Sequence, residues 1–245
     1  MTRLPRLLSA GLLLLLAAAP AAAQEGVPSD QAEFEARVRA YLIEHPEVIV
    51  EALQELERRQ QAATEAKQKQ AISDYRDELT SQARDPVAGN PAGAVTVVEF
   101  FDYRCPYCKA VAQDMIDTLT DEGDVRIVFK EFPILGPQSE QAARAALAAQ
   151  IQDKYLPFHQ AVMAHKGELD EAALFTIAEA VGLDVARLRT DMEATEIDET
   201  IARNIKLANT LAIGGTPAFV VGDTLVPGAL DMETLRKLVA EARGG

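Results

Sequence analysis

The stretch FFDYRCPYCK, residues 100–109, holds both cysteines of a 245-residue chain, Cys105 and Cys108. Two thiols at that spacing can form a metal clip, a structural staple or a redox centre. The staple is a weak reading, because closing so short a loop removes little entropy from the unfolded chain. Small secreted domains that need stapling carry four or more cysteines at wide spacing. A structural zinc site needs four ligands. No second cysteine pair exists, and the three histidines, His45, His159 and His165, fall in segments that read as helical. No metal site is expected, and Cu(I), which two thiolates alone can hold, is the metal reading that stays open.

Redox chemistry fits the pair better. A thiol attacks only as thiolate, and a helix N-terminus favours that charge. Pro106 suits the first turn of a helix, where amides lack internal partners anyway. Cys105 then precedes the helix and Cys108 lies one turn further, within reach of a reversible disulfide. The expected division of labour is an exposed Cys105 that attacks and an enclosed Cys108 that resolves. The Cys105–Cys108 disulfide itself is the redox group, and no cofactor is called for.

The elements that must position this pair follow from the pattern. Residues 94–101 (AVTVVEFF) are a β-branched and aromatic run of strand length, 106–121 read as helix and 125–132 (VRIVFKEF) as a second strand. That is a β-α-β unit with the cysteines at its first turn. A helical block spans about 138–211, with a break near Ala194. After Gly214-Gly215 come strand 217–221, a Gly222-Asp223 turn, strand 224–226 and a closing helix over 231–242. The order predicts an α/β fold with helices on both sides of a mixed sheet. Pro217, opening a strand after two glycines, reads either as a tight cis turn or as a trans proline on an edge strand.

Upstream, residues 24–85 form an N-terminal helical segment. Ser29 or Asp30 can cap it, and Phe34, Val38, Tyr41 and Leu42 recur at helical spacing. Pro46 opens a second helix of about 35 residues, with Val48, Ile49, Leu53 and Leu56 on one stripe, a polar stretch over 57–70, and then Ile72, Tyr75 and Leu79. So narrow a stripe cannot bury itself. Its partner is either the following domain or a second copy of the chain, and we expect homo-oligomerisation through residues 29–84. Gln60 and Gln70 leave the heptad pattern patchy. Residues 86–93, rich in proline and glycine, read as a linker.

Arg3 and Arg6, an apolar run over 7–19 and Ala21-Ala22-Ala23 have the layout of a cleaved secretory signal peptide over residues 1–23, a retained anchor being the alternative. Export places the chain where disulfides persist. A formal net charge of −14 opposes binding to nucleic acid.

The residues VVEFFDYRCPYC, KEFPILG (130–136) and GGTPAFVVG (214–222) resemble the DsbA branch of the thioredoxin superfamily, periplasmic thiol-disulfide oxidoreductases with a helical domain inserted in a thioredoxin fold. The resemblance covers residue 94 to the C-terminus, and it implies a thioredoxin fold with its insertion at about 138–211, preceded by the helical segment. It implies that Pro217 is cis and faces the disulfide, that Thr216 offers its backbone to substrate peptide, and that Glu99 is a buried acid assisting proton transfer at Cys108. By its position alone, Glu99 reads as an outward strand residue. The oxidases of the family carry Pro-His between the cysteines, whereas Pro106-Tyr107 lacks the imidazole. Thr216 matches the isomerase-type relatives, and the N-terminal helix is similar to that of ScsC-like proteins, some of which oligomerise through it. Together these imply isomerase or reductase activity on exported client proteins with cysteines, served by a membrane redox partner of DsbD or DsbB type. The alternatives are a dithiol oxidase and a Cu(I)-binding or client-holding module.

Overall fold

The computed structural model describes residues 29–244. The expected leader, and capping by the side chains of Ser29 and Asp30, lie outside what is described. The chain divides between Arg58 and Arg59 into two compact units.

The first unit holds α1 (Ser29–Glu44) and the start of α2 (Glu47–Asp74). Pro46 interrupts the two helices as its missing N–H predicts. The side chains of Phe34, Val38, Tyr41, Ile49, Leu53 and Leu56 are exposed.

The second unit begins within α2, which ends before Tyr75; α3 (Arg76–Thr80) follows. The single long helix expected through Leu79 is therefore broken, with Tyr75 at φ −107°. On the two sides of the break, Ile72 and Leu79 enter the same buried cluster.

A five-stranded sheet follows, built from β1 (Val87–Gly89), β2 (Val95–Phe101), β3 (Val125–Glu131), β4 (Ala218–Val221) and β5 (Thr224–Pro227) in the order β1-β3-β2-β4-β5. Only β2 and β3 are parallel, joined through α4 (Pro106–Asp121); the other pairs are antiparallel. The expected linker 86–93 contains strand β1, which pairs with β3 from Val87↔Val128 to Gly89↔Arg126. Gly89 ends it at φ +68°, where an added Cβ would meet the carbonyl oxygen of Val125 at 2.5 Å. Only glycine suits that crossing.

Strand alternation assigns the two faces. Val95, Val97 and Phe101 of β2 share one core with Cys108, Met115 and Leu119 of α4 and with Leu235 and Val239 of α10 (Met232–Arg243). Val98 and Phe100 face the other way, against Ile72, Leu79 and the end of α9 (Thr195–Thr210). Between β3 and α9 the insertion also contributes α5 (Pro137–Gln150), α6 (Tyr155–Ala164), α7 (Glu171–Ala180) and α8 (Val185–Asp191). Ala194 is the N-cap of α9, at the expected break.

On the α9 face, Lys130 of β3 is buried and paired with Asp85, and its ammonium also donates to the carbonyl of Glu78. Arg203 of α9 reaches the second oxygen of Asp85 at 3.2 Å. The segment before β1 is thereby tied to the sheet and the insertion by one carboxylate.

Candidate active site

The site forms where β2 hands over to α4. Asp102 follows the strand with a buried carboxylate that accepts from the backbone N–H of Arg104 (2.7 Å), Ile134 (2.8 Å) and Leu135 (3.0 Å) and from the hydroxyl of Ser139 (2.8 Å). Four donors satisfy a buried charge, and they pin the 134–135 loop beside the cysteine turn. The N–H of Cys105 donates to the Asp102 carbonyl at 3.0 Å, and Cys105 is the N-cap of α4 with Pro106 at its first position. The spacing of the motif therefore does what its residue types require: Cys105 lies at the positive end of a 16-residue helix.

Both cysteines are free thiols. Cys108 is fully buried, and Cys105, expected to be exposed, is only 4 % exposed. The Sγ of Cys105 donates to the carbonyl oxygen of Thr216 at 3.2 Å, so the sulfur faces the 216–217 segment. The Thr216–Pro217 peptide is cis, and the pairing of β4 with β2 starts beyond it at Ala218. Pro106 and Tyr107 are exposed, Tyr107 by 66 %. The structure thus brings together Cys105, Cys108, Thr216 and Pro217 across more than a hundred residues.

Glu99 is on the inward face of β2, fully buried, between Phe129 and Phe219 on the flanking strands. The outward reading of this residue is overturned: alternation puts it on the same side as Val97 and Phe101, over α4. Neither carboxyl oxygen has a hydrogen-bond partner among the described residues. Burial pushes its pKa up to about 8. The Cys108 thiol is pushed well up, first by burial and then by the charge of Glu99. The charge of Glu99 is thus felt at the Cys108 thiol.

A second buried polar cluster adjoins this face. The Glu131 carboxyl accepts from the hydroxyls of Tyr103 (3.2 Å) and Tyr155 (2.9 Å), and Tyr103 also meets Nδ1 of His159 at 3.1 Å. Burial holds Glu131 well above the usual carboxylate range and drops His159 to about 3. His159, read from sequence as an ordinary helical residue, is neutral and enclosed by Phe101, Phe129 and Tyr155. The alternation of VRIVFKE, which puts Glu131 on the inner face with Ile127 and Phe129, was the sequence signal for it. Among the described residues no three His, Cys, Asp or Glu side chains converge as metal ligands.

Comparison with known proteins places this architecture. The DSBA-like thioredoxin domain family matches residues 96–240, and the N-terminal domain described as that of the copper resistance protein ScsC matches residues 30–63. A thioredoxin-like oxidoreductase from Silicibacter pomeroyi DSS-3 is 47 % identical, with TM-score 0.68 over 69 % of this chain and 98 % of that one. A linker-deletion variant of Proteus mirabilis ScsC is 28 % identical, with TM-score 0.69 over 90 % of this chain and 99 % of that one. A curated Na(+)/H(+) antiporter, NhaA 1 of Salinispora arenicola, is 34 % identical over 66 % of this chain. The chain spans about a quarter of the length of that relative and of the other antiporters it matches. With the dithiol at a helix start, a cis-proline segment against it and a helical insertion between the two, the chain belongs to the DsbA-like thioredoxin family of thiol-disulfide oxidoreductases.

Proposed function

We propose that the protein reduces and rearranges disulfides of exported proteins in the periplasm, with Cys105 as attacking thiol and Cys108 as resolving thiol. The observation that carries the direction is the dipeptide between them. Tyr107 projects into solvent, and the described histidines are all committed elsewhere: His45 to Glu47, His159 to the buried cluster and His165 to the Glu168 carbonyl. No imidazole is left to hold the Cys105 thiolate, so the dithiol gives up electrons more readily than one so stabilised.

In the first step the Cys105 thiolate attacks one sulfur of a client disulfide. The client S–S bond breaks, a Cys105–client S–S bond forms, and the other client sulfur leaves as thiolate. If another client thiolate then attacks the client sulfur of the mixed disulfide, a rearranged client departs and Cys105 is regenerated. If Cys108 attacks Cys105 instead, its proton passes to Glu99 in the ionised fraction of that carboxyl, the Cys105–Cys108 disulfide forms, and the client leaves reduced by two electrons. A membrane electron donor of DsbD type would restore the dithiol. Exposed Tyr107, Ile134 and Leu135 around the thiol offer apolar surface to an unfolded client.

Oligomerisation through the N-terminal helices belongs to the same reading. The exposed apolar residues of α1 and early α2 give copies of the chain a surface to share, and several dithiols facing one client suit rearrangement.

Refolding of scrambled ribonuclease tests the direction. The protein with glutathione buffer should restore ribonuclease activity, and Cys105→Ala should abolish the effect. Fast oxidation of reduced ribonuclease with no recovery of the scrambled form would instead establish the oxidase.

A further inference from the structure

A cavity of about 570 Å³ opens at the turn that carries Cys105. Its walls include Arg104 and Pro106, the chain neighbours of Cys105, together with Lys109, His165, Lys166 and Glu168. Three of these are permanent or ready cations. Arg104 donates to the carbonyl of Leu135, and Lys109 donates to the carbonyl of His165 at 2.7 Å. Among the described residues none of Arg104, Lys109 and Lys166 forms an ion pair, whereas Arg144, Arg187, Arg203 and Arg243 all do. Glu168, the one carboxylate of the lining, accepts from the amide of Gln138 at 3.0 Å. The chain carries a formal net charge of −14, so a lining with three cations and one carboxylate at the turn of Cys105 runs against the balance of the whole.

We infer that this cavity receives a carboxylate carried close to the reacting sulfur of the partner, so that exchange at Cys105 favours disulfides flanked by acidic groups. Lys109 is the best-placed receiver. It is one turn after Cys105 on α4, and its ammonium is fixed by the His165 carbonyl rather than free to sweep through solvent. Partial burial lowers its pKa, which is the mark of a cation that gains from a counter-charge. The start of α4 adds its own positive end to the same space. A carboxylate there would meet charge-assisted donors while its neighbouring sulfur lies against Cys105. The carboxylate has two sources, an Asp or Glu beside a client cysteine or the carboxylates of a small peptide thiol of the glutathione class. The inference rests on Cys105 as the attacking thiol.

The test compares peptide disulfides that differ only in Glu, Gln or Lys beside the cysteine, together with glutathione disulfide and its methyl esters. Glu should exceed Gln in exchange rate by about three- to tenfold at low ionic strength, with Lys slowest, and the spread should shrink in about 0.5 M salt. The net charge of the whole protein would impose the opposite order, so this order reports the pocket. Lys109→Gln, at a half-buried side chain, with Lys166→Glu, at an exposed one, should bring the Glu:Gln ratio to about one or below. Serine analogues of the peptides, which cannot exchange, should bind in the same order by chemical-shift titration, which reads the cavity independently of turnover. A preference among the peptides assigns client side chains, and one confined to glutathione assigns the small thiol. Equal rates and equal binding throughout, or a preference that survives both substitutions, would overturn the inference. Loss of all turnover with the binding order intact would instead strike the assignment of Cys105.

Discussion

At the scale of single residues, one carboxyl under the dithiol helix is left uncompensated among the described residues. Glu99 is buried without a partner, and its pKa rises from 4.5 to about 8. Between those values the folded chain keeps a proton that the unfolded chain releases. The stability is fully present below about pH 4.5 and declines as pH rises toward 8. Glu99→Gln should flatten that slope, reducing the loss of unfolding free energy between pH 5 and 7.5 by about 3 kcal/mol. On the proposal that Glu99 accepts the Cys108 proton, the same substitution should slow resolution of the mixed disulfide by about tenfold or more. Urea melts at the two pH values and single-turnover quenching check the two halves. A variant that keeps both the slope and the rate would leave Glu99 as mere filling between Phe129 and Phe219.

At the scale of elements, the network of Asp85, Lys130 and Arg203 fastens pieces far apart in sequence. Asp85→Ala strands a buried ammonium and should cost about 3–5 kcal/mol in denaturant unfolding. Adding Lys130→Met should recover a good part of that, because the second change removes the orphaned charge rather than another contact. If the double variant is no more stable than the single one, the lysine has no need of a counter-ion. Nothing in the local sequence announced this pairing, since its partners lie 45 and 118 residues apart. The same distance explains β1. Val87-Ala88-Gly89 between two prolines has the composition of a loop, and only the open edge of β3 makes it a strand. By contrast β2, α4 and β3 were legible almost to the residue, because each carries its own period and Pro106 marks a helix start. Cys105 and Cys108 were legible as a pair, but the shielding of Cys105 was not, for it depends on the Thr216 carbonyl supplied from a distant segment. The inward setting of Glu99 was open to sequence only through strand alternation, where it breaks an otherwise apolar face.

At the scale of the whole molecule, the N-terminal helices carry apolar side chains that remain exposed in the single chain. Removing residues 29–58, which belong to the first compact unit, should reduce the mass in solution to that of a monomer by light scattering. Recovery of scrambled ribonuclease should fall with it, while simple reduction of insulin persists. A monomer before and after removal would take oligomerisation out of the account.

Ile72 and Leu79 seal the far face of the sheet against Val98, Phe100 and Val220. The family match begins only at residue 96, so recombinant boundaries drawn from alignment would cut through the interior. A fragment opening there would forfeit β1, the Asp85 carboxylate and the apolar cover over β2 and β4 at once. The packed unit is therefore larger than the matched stretch. Any graft that moves this dithiol domain onto another protein has to carry the last turns of α2 along with it.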